Sequence, residues 1–394
     1  MNKIYRLVFN KSTGLIQVAS ELASSAGGSV SSRLVNTIVF SESFALIPFR
    51  LRTLTAALVS TLLMSGPLLL GRGIASAANC ASTISSSSSA CTLSTNSVEI
   101  TGTGSIVSSS IPIGVSSSST GLNLGGITVD SGGLLQYTGS TGTSAGISYV
   151  YNPTGAPSPR NYAGAINLNG DLTSSQRGIY VNGFVLDSVS IGSGSTLTAG
   201  GFGMFLADSS GVTGNVTNNG TISSGSYSIS IGGASSGVVA SYIEGGITNS
   251  GTITSSNGVA INNAGDITGA ITNSATGILN GAINISGTAT GGIDNFGIIN
   301  HTNNPDSYAI NITGSVGGGI TNESSGVING TVYANTVTAL TLDNSGQING
   351  PVTFNATPGT INLNGAAGTI TGAVTGSNTT VNAVGTFSTA NTFR

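Results

Sequence analysis

From about residue 214 the chain repeats one phrase: an aliphatic residue, any residue, Asn, a short spacer, Gly, any residue, an aliphatic residue. It reads Val216-Thr217-Asn218-Asn219-Gly220-Thr221-Ile222 and Ile247-Thr248-Asn249-Ser250-Gly251-Thr252-Ile253. Ile271-Thr272-Asn273 leads through a longer spacer to Gly277-Ile278-Leu279, and Ile293-Asp294-Asn295-Phe296-Gly297-Ile298-Ile299 follows. Ile320-Thr321-Asn322 runs to Gly326-Val327-Ile328, and Leu342-Asp343-Asn344-Ser345-Gly346-Gln347-Ile348 is the sixth copy. The leading aliphatic position steps through 216, 247, 271, 293, 320 and 342, an uneven but recurrent interval. Inside each copy aliphatic and polar residues alternate, which predicts short half-buried strands. A third alternating stretch falls between copies, as in Ala282-Ile283-Asn284-Ile285 and Ala309-Ile310-Asn311-Ile312.

Self-similarity at this period signals a solenoid, propeller or array. Three short strands separated by Gly/Asn/Ser turns fill about 22–24 residues, one coil of a solenoid, whereas a propeller blade needs ~40–50. The predicted fold class is therefore all-β, a parallel β-helix (β-solenoid). Its coils stack ~4.8 Å apart, and Ile and Val of one coil cover those of the next. Over residues 78–394 this gives roughly 13 or 14 coils and a rod on the order of 65 Å. The recurrent Asn (218, 249, 273, 295, 322, 344) is expected at a turn, its amide stacking into a hydrogen-bonded ladder. The adjacent Gly is expected to supply a positive φ there.

Four segments follow: a leader (1–77), a Ser-rich cap (78–120), less regular coils (121–213) and regular repeats (214–394). Three prolines between Pro153 and Pro159 have no place in a strand ladder, so 149–162 is expected to leave the rod as a loop. Cys80 and Cys91 are a plausible disulfide closing a small loop in the cap, with two free thiols as the alternative.

Composition sharpens this picture. Gly makes up 60 of 394 residues, only 6% are charged, and there is no Trp. The mean hydropathy is +0.29 and 38% of residues are hydrophobic. That composition opposes helical bundles and solvated disorder, and a nucleic-acid partner is not expected. Seven of the ten basic residues precede residue 73; from Ala78 onward three basic residues face eleven acids, a net charge of −8. A like charge repeated in every coil would stack on itself at the coil spacing, so few charges are tolerated.

The basic leader reads as an export signal. Arg50 and Arg52 precede an apolar run over 54–70, and Ala75-Ser76-Ala77 supplies small residues for cleavage between Ala77 and Ala78. The run, broken by Gly66-Pro67, is at the short edge of the ~20 residues a spanning helix needs. Asn79 before Cys80 argues against a lipoprotein site. About fifty residues precede this signal. Met1-Asn2-Lys3-Ile4-Tyr5-Arg6, Asn10-Lys11 and Val18-Ala19-Ser20-Glu21-Leu22-Ala23 resemble the extended signal peptide of Gram-negative type V secretion proteins. Phe9 stands where that family commonly has Trp.

Candidate chemistry is sparse. The loop gathers Tyr149, Tyr151, Tyr162 and Arg160, a composition suited to contacting sugar or protein, with an ordinary packed insertion as the alternative. Asp187 and Asp208 end the similar phrases Phe184-Val185-Leu186-Asp187 and Phe205-Leu206-Ala207-Asp208. They are 21 residues apart, one coil, which lets their carboxylates stack about 5 Å apart, like a retaining glycosidase pair or a Ca²⁺ site, although solvated turn acids are commoner. His301 is expected as a solvated turn residue. No triad, G-x-S-x-G motif or nonapeptide Ca²⁺ repeat accompanies the many serines, and no cofactor or metal is expected.

The leader and the coils together resemble the passenger of an autotransporter, which implies a right-handed β-helix carried to the cell surface. No strand pattern of a membrane barrel occurs before Arg394, so an outer-membrane transporter is expected from elsewhere, after passage through the Sec translocon. The resemblance implies an adhesin or structural rod rather than an enzyme, with an unnamed host or bacterial glycan or protein as receptor. A two-partner exoprotein and a β-helical carbohydrate-active enzyme are the alternatives.

Overall fold

The computed structural model describes residues 5–10, 15–20, 78–140, 144–151, 161–234, 239–301, 308–355, 357–365, 367–376 and 378–384. The chain divides into two units, Met1–Arg72 and Gly73–Arg394. In the first, Tyr5–Asn10 and Leu15–Ser20 form an antiparallel hairpin with Tyr5 opposite Ser20. The apolar run 54–70 and Ala75-Ser76-Ala77 lie outside the described residues; Ala78 is the first described residue of the second unit, and it is exposed.

The second unit is a parallel β-helix. Its spine is a 13-stranded parallel sheet that starts at Thr83–Ile84 and finishes at Thr379–Val384. Each strand of the spine belongs to a different coil. The sequence phrase forms this spine: Ile247 pairs with Ile271, Ile271 with Ile293 and Ile293 with Ile320. Those isoleucines point inward in one column, each 1% exposed. The second aliphatic residue of the phrase makes a parallel file, Ile222 beside Ile253 and Ile253 beside Leu279. A single coil could cover neither file; stacking covers both.

A 22-stranded sheet carries the next two sides of each coil, and an eight-stranded sheet, from Asn123–Leu124 to Ser315–Val316, carries a further side. Coils that own this last strand have four strand segments rather than the three expected, and the end coils lack it among the described residues. Coil length varies accordingly. One turn of the spine leads from Ile84 only to Ile100 and from Ile361 to Val381, yet from Ile127 it leads as far as Ile166. The ladder needs only its strand registers kept, so corners absorb the difference.

The stack begins early. Thr83 pairs with Glu99, and Cys91 with Ile113, so strand ladder already runs through the Ser-rich segment. Cys80 and Cys91 form a disulfide across it. Residues 121–213 keep the same registers: Ile127, Ile166, Val189 and Val216 follow one another in the inward column.

The recurrent Asn ends its spine strand with its side chain turned inward, at 0–2% exposure. Each donates from Nδ2 to Oδ1 of the next: Asn218 to Asn249 at 2.8 Å, Asn249 to Asn273 at 2.9 Å, and Asn273 to Asn295 at 2.9 Å. Asn295 to Asn322 and Asn322 to Asn344, both at 2.8 Å, complete the ladder. The Gly beside it does a different job from the one expected. Gly220, Gly251, Gly277, Gly297, Gly326 and Gly346 are absent from the residues with positive φ. They are small because coils meet there. A Cβ on Gly251 would be driven into the Gly220 carbonyl, and one on Gly326 into the Asn295 carbonyl.

Candidate functional site

The residues singled out from the sequence do not assemble into one site. Tyr149 and Tyr151 belong to the strand Ala145–Tyr151 and point into the core, 1% and 8% exposed. The Tyr149 ring packs 5.6 Å from that of Phe184. Its hydroxyl is buried with no partner among the described residues, and burial pushes its pKa far above the ordinary phenol value. Tyr162, in the strand Asn161–Ala163, is 48% exposed. Arg160 and the rest of 152–160 lie outside the described residues.

The stacked carboxylates expected of Asp187 and Asp208 do not form. Ala207 is in register with Asn182, which places Asp208 beside Gly183, whereas Asp187 follows the strand Phe184–Leu186 on another side of the coil. Their sequence spacing misled because the coil here is longer: the ladder neighbour of Phe205 is Tyr180, not Phe184. His301 is half-buried, and burial lowers its pKa below the usual imidazole value. Its backbone N–H donates to Asn329 O at 2.9 Å, and a Cβ on Gly258 would run into its ring. Among the described residues no group of three or more His, Cys, Asp or Glu could hold a metal ion.

A different cluster stands out, on the outward side of the strands Arg177–Asn182 and Met204–Ala207. Alternation turns Ile179 and Val181 inward, so Tyr180 and Asn182 face out, and the ladder sets Phe205 directly beside Tyr180. A second column lies at or just before the start of each strand: Arg177, the first residue of its strand, then Phe202, then Tyr227, evenly spaced along the chain. The rings of Phe202 and Phe205 stack at 4.7 Å, Tyr180 lies 5.8 Å from Phe205, and Tyr227 meets Phe202 edge-on at 5.7 Å. The Arg177 guanidinium lies 4.3 Å from the Tyr180 ring centroid, a cation–π contact. All five side chains are half-buried, so the patch is ordered yet open to solvent.

Towards the N-terminal coils the same face opens into a cleft of 610 Å³, lined by Ile111, Gly114, Ser148, Val150, Tyr180 and Asn182 among others. Gly114, Ser148 and Tyr180 occupy successive rungs of one outward column. Two small residues therefore make the floor and the first large ring makes the wall. At the rim, Asn182 Nδ2 donates to Tyr180 Oη at 3.3 Å and to Asp208 Oδ2 at 3.2 Å. Asp208 and Ser209 have φ of 37° and 60°, the only non-glycine positive values among the described residues. The turn is held by Ser210, whose Oγ donates to Val181 O at 2.9 Å while accepting from Gly183 N at 3.0 Å. The turn with these positive φ values carries the Asp208 carboxylate to the rim. The equal steps from Arg177 to Phe202 to Tyr227, matched by the step from Tyr180 to Phe205, were the available signal for the patch. It was hidden because the Asn phrase that set the expected period begins only at Val216.

The profile described as "Extended Signal Peptide of Type V secretion system" matches residues 1–49. The chain carries the extended signal peptide of type V secretion. That signal indicates type V secretion, and the parallel β-helix that follows fits an autotransporter passenger. The signal directs it across the inner membrane by the Sec route towards the cell surface or beyond, and type V secretion in general employs an outer-membrane transporter. No curated protein and no solved structure matches the chain.

Proposed function

We propose that the β-helix is a non-catalytic surface passenger that acts as an adhesin. The observation that carries this reading is the ring cluster of Tyr180, Phe202, Phe205 and Tyr227, half-buried beside a cleft on the body of an exported stack. Aromatic side chains left half-open on a rigid scaffold serve contact with another molecule better than folding of their own chain. The separation of Asp187 from Asp208 favours a binding role over glycan hydrolysis, since neither acid has the other as catalytic partner. The transporter is proposed to be an outer-membrane barrel, with a two-partner arrangement as the alternative.

Display of the protein on a Gram-negative host with a functional type V pathway tests this. Surface protease should cleave it, cells should gain adherence to epithelial monolayers or sister bacteria, and an antibody raised against the coils should block that gain. Display without any gain in adherence would remove the adhesin role.

A further inference from the structure

We propose that the cleft and ring cluster form one binding site for a neutral glycan chain lying along the stack. This deepens the adhesin reading, on which it rests, by assigning the ligand class and the residues.

Three observations converge. The first is shape. The column in outward register runs Gly114, Ser148, Tyr180, Phe205, Ser230, one residue per coil, with the half-exposed rings of Tyr180 and Phe205 between buried Ser148 and Ser230. Adjacent coils in a parallel ladder stand ~4.8 Å apart, close to the length of one pyranose unit in an extended chain. Successive sugars therefore meet successive rungs, the cleft over Gly114 and Ser148 first and the Tyr180 and Phe205 rings after.

The second is chemistry. A pyranose has apolar C–H faces and a hydroxyl rim, so it matches a flat ring bordered by amide and carboxylate groups. Phe202 and Phe205 stack with their planes 17° from parallel, so the outer face and edges of the pair are what a sugar can meet, while Asn182 with Asp208 border the neighbouring Tyr180 ring. The Asn182–Asp208 hydrogen bond holds both groups in place before ligand arrives, which lowers the ordering cost of binding.

The third is charge. From Ala78 onward Arg177 is the only Lys or Arg among the described residues, and it lies against the Tyr180 ring. The body carries −8, and Asp208 sits at the rim. A polyanionic glycan would meet net repulsion along the stack, whereas a neutral chain meets none.

The test is calorimetric titration of the purified secreted protein with cellohexaose, mannohexaose and maltohexaose, and with hexagalacturonate as the acidic counterpart. At least one neutral hexasaccharide should bind, and Tyr180→Ser and Phe205→Ser should each weaken it about tenfold. Serine occupies the same column at 148 and 230, so both variants keep the ladder. Phe205→Tyr should retain binding. Binding of none of the neutral probes, binding of hexagalacturonate alone, or unchanged affinity in both serine variants would each overturn the assignment. Displayed cells separate the two levels. Wild-type adherence that persists in the Tyr180→Ser, Phe205→Ser double variant leaves the adhesin standing and removes this site. A wild type that adheres to nothing removes the adhesin reading itself.

Discussion

At the scale of single residues the buried amides do the most distinctive work. Apolar surroundings make an unpaired amide costly, so an inward Asn needs partners for its amide, and in this ladder the Asn above and the Asn below supply them. The ladder's first member shows the limit. Asn218 stacks on Ile191, and its Oδ1 is buried with no hydrogen-bond partner among the described residues. Asn295→Leu removes the acceptor of Asn273 and the donor to Asn322 at once. Leaving buried amide groups unpaired is expected to cost about 2–4 kcal/mol, read from guanidinium denaturation, against near neutrality for the exposed Asn219→Ala. His301 gives a pH signature of its own. Burial disfavours the imidazolium in the folded chain, so the unfolded chain takes up the proton first as pH falls below ~6.5. Stability is then full above that pH, declines as pH drops towards the lowered folded value, and levels off beneath it. Urea midpoints between pH 7.5 and 5.5 should fall in the wild type and flatten in His301→Gln.

At the scale of the coil and its corners, glycine separates into two kinds. Gly251 has ordinary φ and no room, because the Gly220 carbonyl lies where its Cβ would go. Gly194 has φ of 83° and nothing within contact of its Cβ position. Gly251→Ala must push two coils apart and is expected to cost about 1–3 kcal/mol, whereas Gly194→Ala meets only the backbone preference, about 1 kcal/mol. Thermal unfolding of the two variants should rank them in that order; equal losses would mean that coil contact at the Asn corner is not tight. Acids obey a related rule. Asp294 stacks on Thr272 and Thr321, and Asp343 accepts from Asn362 Nδ2 at 2.6 Å, so no acid meets an acid on these rungs.

At the scale of the whole stack, each coil touches only its neighbours, and stability propagates as a chain of nearest-neighbour contacts. A cross-link at one end then protects that end rather than the molecule. The Cys80–Cys91 bridge joins cysteines at a sequence separation of 11, a loop for which chain entropy allows about 3 kcal/mol. Replacing both cysteines by Ser should speed amide exchange in the coils around Thr83–Ile100 while leaving exchange around Ile247–Ile293 unchanged. Uniform acceleration along the stack would show that the coils unfold as one unit.

Sequence alone determined the element type, the inward files of Ile247, Ile271 and Ile293, and the amide ladder, because a period of two nested inside the longer coil period leaves few ways to bury those side chains. It also marked the extended signal peptide, whose pattern of residues is legible along the chain itself. Only the tertiary structure decided which residues become neighbours where coil length drifts. Corners can lengthen without disturbing strand register, so sequence distance stops measuring spatial distance. Asp187 and Asp208 were thereby drawn apart, Tyr149 and Tyr151 were turned into the core by the parity of their strand, and Tyr180 was set beside Phe205. The glycines taught the same lesson: their need for smallness comes from the neighbouring coil's carbonyl, which no local stretch of chain reveals.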